Sequence, residues 1–207
     1  MKRVTKVFII LFPFIITLTL GMQTVYASTL DLLGIGWSRT QVTVAINPAK
    51  GVTPQAVDDV ESVISDWNDE LLGIEGAPLL SLESSSKKAD IVIHMKVGGG
   101  SVLGYTLPKA INPFSCAIQN VRVQLSGKIF GQKLSSAGTR NVARHELGHA
   151  LGLGHSDNSS DLMYATADSS DIFGNTDTPI STCDIDGLEA IYPLPQYCAI
   201  SDSITCR

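Results

Sequence analysis

Basic residues, aromatic residues and long apolar runs are all scarce in this chain of 207 residues. Lys and Arg total 15 against 20 Asp and Glu, which gives a formal net charge of −5. An acidic balance argues against nucleic acid as a partner, since such binding needs a basic patch that replaces phosphate counterions. Beyond the first 27 residues, no stretch is long and apolar enough to cross a bilayer.

The first 27 residues are typical of an export signal. A positive start (residues 2–6) precedes an apolar stretch (residues 7–20), and small residues at positions 25 and 27 suit cleavage before Ser28. The alternative is an uncleaved membrane anchor, but the stretch is short for a span of ~20 residues and Pro13 interrupts it. We therefore predict a secreted protein, with the membrane as a partner only if the signal is retained as an anchor.

Cysteine is rare but present in an even number, which in an exported chain favours two disulfides. Four cysteines allow three pairings, and proximity in sequence favours Cys198 with Cys206, which leaves Cys116 with Cys183. The alternative, zinc ligation by cysteine, lacks the usual CxxC spacing.

Periodicity and turn residues predict a mixture of strands and helices in one domain. The predicted strands cover residues 42–46, 79–82, 89–95, 102–107 and 121–125. Three helices are predicted: one begins at a Thr53 cap, one covers about 139–151, and a last one from about 182 ends at Pro193. Residues 158–182 are polar and irregular. Because helices and strands occur together, the predicted class is α+β or α/β.

Three of the four histidines fall within eleven consecutive residues. On a helix, His145 and His149 are four residues apart and share one face, so both imidazoles can reach one ion. Gly152 lets the chain turn sharply out of the helix and bring His155 back as a third ligand. Three protein ligands leave a fourth position for water, which is the layout of a catalytic zinc site. Glu146 lies beside such an ion and is placed to act as general base.

This arrangement predicts metal-assisted hydrolysis. Zinc lowers the pKa of its bound water toward ~7 and polarises a carbonyl, while Glu146 takes the water proton and passes it to the leaving amine. The alternative is a buried helix whose histidines merely pack, and the concentration of histidines argues against it. His94, the fourth histidine, is expected to be an ordinary core or surface residue.

The motif HExxHxxGxxH, followed by Met163 in a Leu-Met-Tyr sequence, resembles the metzincin zinc peptidases, in which a methionine turn follows the histidines. Within that clan the sequence is most similar to the matrixins. Ser156 follows the third histidine directly, and Met163 stands at the matrixin spacing, eight residues after His155. Residues 89–93 resemble the matrixin central strand, and residues 184–192 resemble the final helix.

The resemblance implies an α+β, α/β-like zincin fold: a twisted mixed sheet with one antiparallel edge strand, an active-site helix, and a small C-terminal subdomain with a final helix. Met163 would form a hydrophobic base beneath the histidines. Residues 102–106 would be the edge strand, along which an extended substrate pairs. By the same resemblance the substrate-binding residues are Leu103, Gly104, Tyr105, Val142 and Tyr164, and residues 164–168 lie near the S1′ pocket.

The departures from the matrixin pattern concern metals. Tyr105 stands where animal matrixins carry a histidine of a second, structural zinc, so we predict one catalytic Zn²⁺ only. Calcium is left open, because Asp168, Asp171 and Asp177 are acidic loop residues that form no recognisable calcium motif.

The predicted domains are a signal peptide (1–27), a short leader (28–36), a matrixin-like catalytic domain (37–193) and a C-terminal tail (194–207). Asp31 in the leader is a candidate cap for the zinc, although an ordinary solvated aspartate is the stronger interpretation. The predicted protein is a secreted, monomeric zinc endopeptidase of protein or peptide substrates. The alternatives are a zinc hydrolase of non-protein substrates and an inactive or adhesive metal-binding relative.

Overall fold

The computed structural model describes residues 28–193 and 197–206, so the predicted signal peptide lies outside the described residues. The elements in chain order are β1 (Thr29–Leu32), β2 (Gln41–Pro48), α1 (Pro54–Leu71), β3 (Leu79–Leu82), β4 (Ile91–Lys96), β5 (Gly104–Ile111), β6 (Ile118–Ser126), β7 (Lys128–Ile129), β8 (Gln132–Lys133), α2 (Ser136–Ala150), β9 (Leu153–Ser156), α3 (Ser169–Phe173), α4 (Thr182–Ile191), a 3₁₀ turn (Tyr197–Ala199) and β10 (Ser203–Thr205). In the part of the chain described here, no helix is long and apolar enough to span a membrane.

The main sheet has five strands in the order β3-β2-β4-β6-β5. The first four are parallel, and β5 runs antiparallel to β6 at the edge. Alternation places Ile91, Ile93 and Met95 of the central strand β4 in the core. The predicted α+β class, with a mixed sheet and one antiparallel edge strand, is confirmed.

Helices α1 and α2 pack together in the core beside the main sheet. Thr53 caps α1 as predicted, because its hydroxyl accepts a hydrogen bond from the Ala56 N–H at 3.3 Å. The indole N–H of Trp67, fully buried on α1, donates to the Arg144 carbonyl of α2 at 3.1 Å. Helix α1 therefore holds the helix that contains His145 and His149.

The edge strand β5 is longer than predicted. The predicted strand ends at residue 107, directly before Pro108, but pairing with β6 continues to Ile111. Proline has no N–H to donate, so strands tolerate it at sheet edges and at bulges. Both conditions hold here, since β5 lies at the edge and the register shifts directly after Pro108.

A second sheet of three strands, in the order β10-β1-β9, was not predicted. It includes part of the residues 28–36 predicted as a leader, and Leu30 and Leu32 of β1 are buried. It also includes β10 from the C-terminal tail, paired to β1 with Asp31 opposite Ser203. Both ends of the described chain therefore support β9, the strand that contains His155.

The two disulfides join Cys116 to Cys198 and Cys183 to Cys206, with Cα–Cα distances of 5.1 and 5.0 Å. The pairing predicted from proximity in sequence is therefore wrong. The tertiary fold decides the pairs, since the Tyr197 N–H donates to the Ser115 carbonyl beside Cys116. Strand β10 likewise brings Cys206 to the start of α4.

Helix α4 begins with a capping box. The Asp184 N–H donates to the Ser181 hydroxyl at 3.1 Å, and the Ser181 N–H donates to Asp184 Oδ2 at 2.7 Å. The other oxygen of this fully buried carboxyl, Oδ1, has no hydrogen-bond partner among the described residues. Burial raises the pKa of Asp184 to about 6, and the charge of Asp161 acts in the same direction.

Asp184 is expected to make the protein less stable as the pH rises. Its folded-state pKa exceeds the unfolded value, so the stabilising protonated form is lost between about pH 4 and 6. We expect Asp184→Asn to gain on the order of 2 kcal/mol relative to wild type over that range. Denaturant unfolding at a series of pH values measures this, with Asp69→Asn on the exposed face of α1 as control. If the unfolding free energies of wild type and Asp184→Asn change in parallel with pH, this expectation is contradicted.

Candidate functional site

The predicted histidine triad comes together in the structure. His145 and His149 lie on one face of α2, and His155 lies in β9, which follows the helix after a sharp turn at Gly152 with φ of 108°. One ring nitrogen from each of the three histidines lies within 4.8 Å of the others. These imidazoles are therefore close enough to share one metal ion.

The hydrogen bonds of two histidines determine which ring nitrogen of each is free to bind a metal. Nδ1 of His145 lies 2.8 Å from the Leu162 carbonyl, and Nδ1 of His149 lies 2.8 Å from the Leu153 carbonyl. A carbonyl oxygen only accepts, so each Nδ1 carries the proton and each Nε2 keeps a lone pair for a metal.

Electrostatics favours the neutral, metal-binding form of the same two rings. Burial lowers the pKa of His145, and burial together with His145 lowers the pKa of His149 to about 4. Neutral imidazole is the form that binds zinc, and three nitrogen ligands are typical of a catalytic zinc site. The donor set therefore fits the predicted ion.

Met163 lies fully buried beneath the helix that contains the first two histidines. A Cβ placed on Gly148 would lie 2.5 Å from the Met163 sulfur, so this glycine allows the turn to approach α2 closely. Ser156 connects the turn to β9, because its N–H donates to the Met163 carbonyl and its hydroxyl donates to Asp161 at 2.6 Å. Met163 therefore packs against α2 at Gly148.

The Glu146 side chain points toward the edge strand. The Thr106 hydroxyl lies 2.7 Å from Glu146 Oε2 and 2.8 Å from the Glu146 carbonyl oxygen. Burial raises the pKa of Glu146 to about 7, and the hydrogen bond with Thr106 opposes that rise. A cation bound by the adjacent histidines would favour the ionised carboxylate.

A cleft of about 790 Å³ opens over the triad. It lies between β5, α2 and the segment that follows Met163. All five predicted substrate-binding residues line it: Leu103, Gly104, Tyr105, Val142 and Tyr164. Residues 164–167 also line the cleft, whereas Asp168 is the N-cap residue of α3.

The other acidic and histidine candidates have structural partners. Asp171 accepts a hydrogen bond from the Asp168 N–H, and Asp177 forms ion pairs with Arg140 and Arg144. His94 lies in β4, where its Nδ1 is 3.2 Å from the Asn47 amide. Asp31 is in β1 and does not line the cleft, so the arrangement lends no support to a zinc cap.

The sequence did not reveal the contact of Thr106 with Glu146. Its position in the edge strand was predicted, but its contact with Glu146 joins residues 40 positions apart. Threonine is common in strands, so its presence there does not indicate such a contact. The signal that could have found the contact is its position two residues after Gly104, which places both residues on the same face of the strand.

Comparisons with known proteins point to one family. The family model described as Matrixin matches residues 123–193, which include the three histidines, Glu146 and Met163. Stromelysin-1 of Equus caballus is 29% identical over an alignment of 171 residues, and the match covers 77% of this chain and 33% of that protein. Metalloendoproteinase 2-MMP of Arabidopsis thaliana is 27% identical over an alignment of 167 residues, and the match covers 75% of this chain and 42% of that protein. The chain thus spans less than half the length of either relative.

Proposed function

We propose, from the premise that the chain is matrixin-like, that it is a secreted zinc-dependent endopeptidase. One observation carries the proposal: three imidazoles converge beside a buried glutamate in the wall of an open cleft. The two disulfides support an extracellular location, since such bonds persist in oxidising compartments.

The histidines and Glu146 divide the chemistry between them. His145, His149 and His155 would hold the zinc, which supplies a Lewis acid for the scissile carbonyl and acidifies the attacking water. Glu146 accepts the proton of that water and passes it to the leaving amine. Its burial keeps bulk solvent from competing for this proton.

The edge strand accounts for action on extended chains. Strand β5 pairs with β6 on one side and borders the cleft on the other. An extended peptide can add to its free side through main-chain hydrogen bonds. Leu103, Gly104 and Tyr105 would contact the substrate there, while Val142 and Tyr164 would line the pocket for the side chain after the cut bond.

Metal removal tests the proposed function. We expect purified protein to cleave casein or gelatin, to lose this activity after a chelator, and to recover it when zinc is added back. Gel electrophoresis of the substrate with time measures all three states. A zinc-loaded protein that binds protein substrates without cutting them would favour an adhesive relative. Cleavage of small esters alone would favour a hydrolase of non-protein substrates.

A further inference from the structure

The contact between Thr106 and Glu146 carries an inference about how the general base is held. We propose that Thr106 is a positioning residue, which orients the Glu146 carboxylate toward the attacking water. The inference rests on the proposed peptidase function and deepens it. Within residues 28–193 and 197–206, Thr106 is the only hydrogen-bond partner found for that carboxylate.

Gly104 provides the space for this contact. A Cβ placed on Gly104 would lie 2.6 Å from Glu146 Oε1 and 2.9 Å from the carboxyl carbon. Residues two apart in a strand face the same side, so Gly104 and Thr106 together form the wall on which the carboxylate rests. The glycine admits the carboxylate, and the threonine hydroxyl fixes its rotation.

The hydroxyl suits both forms that a general base passes through. It has one proton to donate and two lone pairs that accept. While Glu146 is ionised, Thr106 can donate to Oε2 at 2.7 Å. Once Glu146 has taken a proton, the hydroxyl can accept from it and donate to the Glu146 carbonyl at 2.8 Å. Neither step requires the side chains to move.

Removing the hydroxyl without changing the shape of the side chain isolates its role. We expect Thr106→Val to lower kcat by roughly tenfold or more, the usual cost of losing such a supporting hydrogen bond. Bound zinc per chain should stay at the wild-type value, because the Thr106 hydroxyl bonds to Glu146 and to none of the three histidines. KM should change little, because valine keeps the shape of the side chain that lines the cleft. Thr106→Ser should retain most of the activity. Thr40→Val is the matched control, since Thr40 is exposed and lies outside the cleft.

Steady-state kinetics on a peptide substrate, zinc content and thermal unfolding of each variant decide the matter. A wild-type kcat in Thr106→Val would overturn the inference about Thr106 and leave the proposed function standing. Equal losses in Thr106→Ser and Thr106→Val, accompanied by lowered unfolding temperatures, also overturn it, because that pattern marks a structural role. A zinc-loaded wild type that cleaves no peptide overturns the proposed function and this inference together.

Discussion

Glu146→Gln is expected to lower kcat/KM for peptide cleavage by roughly 10³-fold, within the range that general-base catalysis contributes. Glutamine has the size of glutamate but cannot accept the water proton. The three imidazoles are unchanged by the substitution, so zinc content should match that of the wild type. Peptide hydrolysis assays together with metal analysis of the purified variant measure both quantities.

Two controls separate chemistry from folding. Glu70→Gln, on the exposed part of α1, makes the same chemical change away from the cleft and should leave the activity unaltered. His149→Ala should lose both zinc and activity, because it removes a ligand. Substantial peptide cleavage by Glu146→Gln would show that another group takes the proton and would reject the mechanism proposed here.

The convergence of the three histidines was predictable because its determinants are local. The spacing of His145 and His149 places both on one helix face whatever the tertiary contacts are. Gly152 then marks the turn that returns His155, and the structure shows this turn with positive φ. All the information lies within eleven consecutive residues, and periodicity arguments are strongest at that range.

The small sheet and the disulfides were not predictable in the same way. Strand β1 pairs with β10 across more than 170 residues, and with β9 across more than 120. Short strands such as these have no periodic signature long enough to detect. The wrong cysteine pairing has the same origin, because β10 brings Cys206 to Cys183.

The edge strand lies between these two cases. Its existence followed from sequence, yet its continuation past Pro108 depends on its place at the edge of the sheet. The contact of Thr106 with Glu146 depends on how β5 packs against α2. Both facts are tertiary, so a residue can be assigned to a strand correctly while its role stays hidden.

The dependence of His155 on tertiary support leads to a second large expected effect, that of Gly152→Ala. The substitution forces a side chain into positive φ, and its Cβ would lie 2.4 Å from the Ile35 carbonyl oxygen. Because that oxygen belongs to the main chain, the backbone must shift. We expect a loss of about 3–5 kcal/mol in unfolding free energy. Zinc affinity should also fall, because His155 begins its approach to the ion at this turn.

Gly131→Ala is the matched control for Gly152→Ala. Gly131 has a similar φ of 82° in the turn between β7 and β8, but a Cβ there meets nothing within 4 Å. Its substitution should lower the unfolding free energy only by the cost of a side chain at positive φ, about 1–2 kcal/mol, and should leave zinc binding unchanged. Denaturant unfolding and competition for zinc with a chelator compare the two variants. Equal stability losses would mean that backbone strain alone explains the effect. Wild-type zinc affinity in Gly152→Ala would show that the histidine in β9 does not depend on the turn for its position.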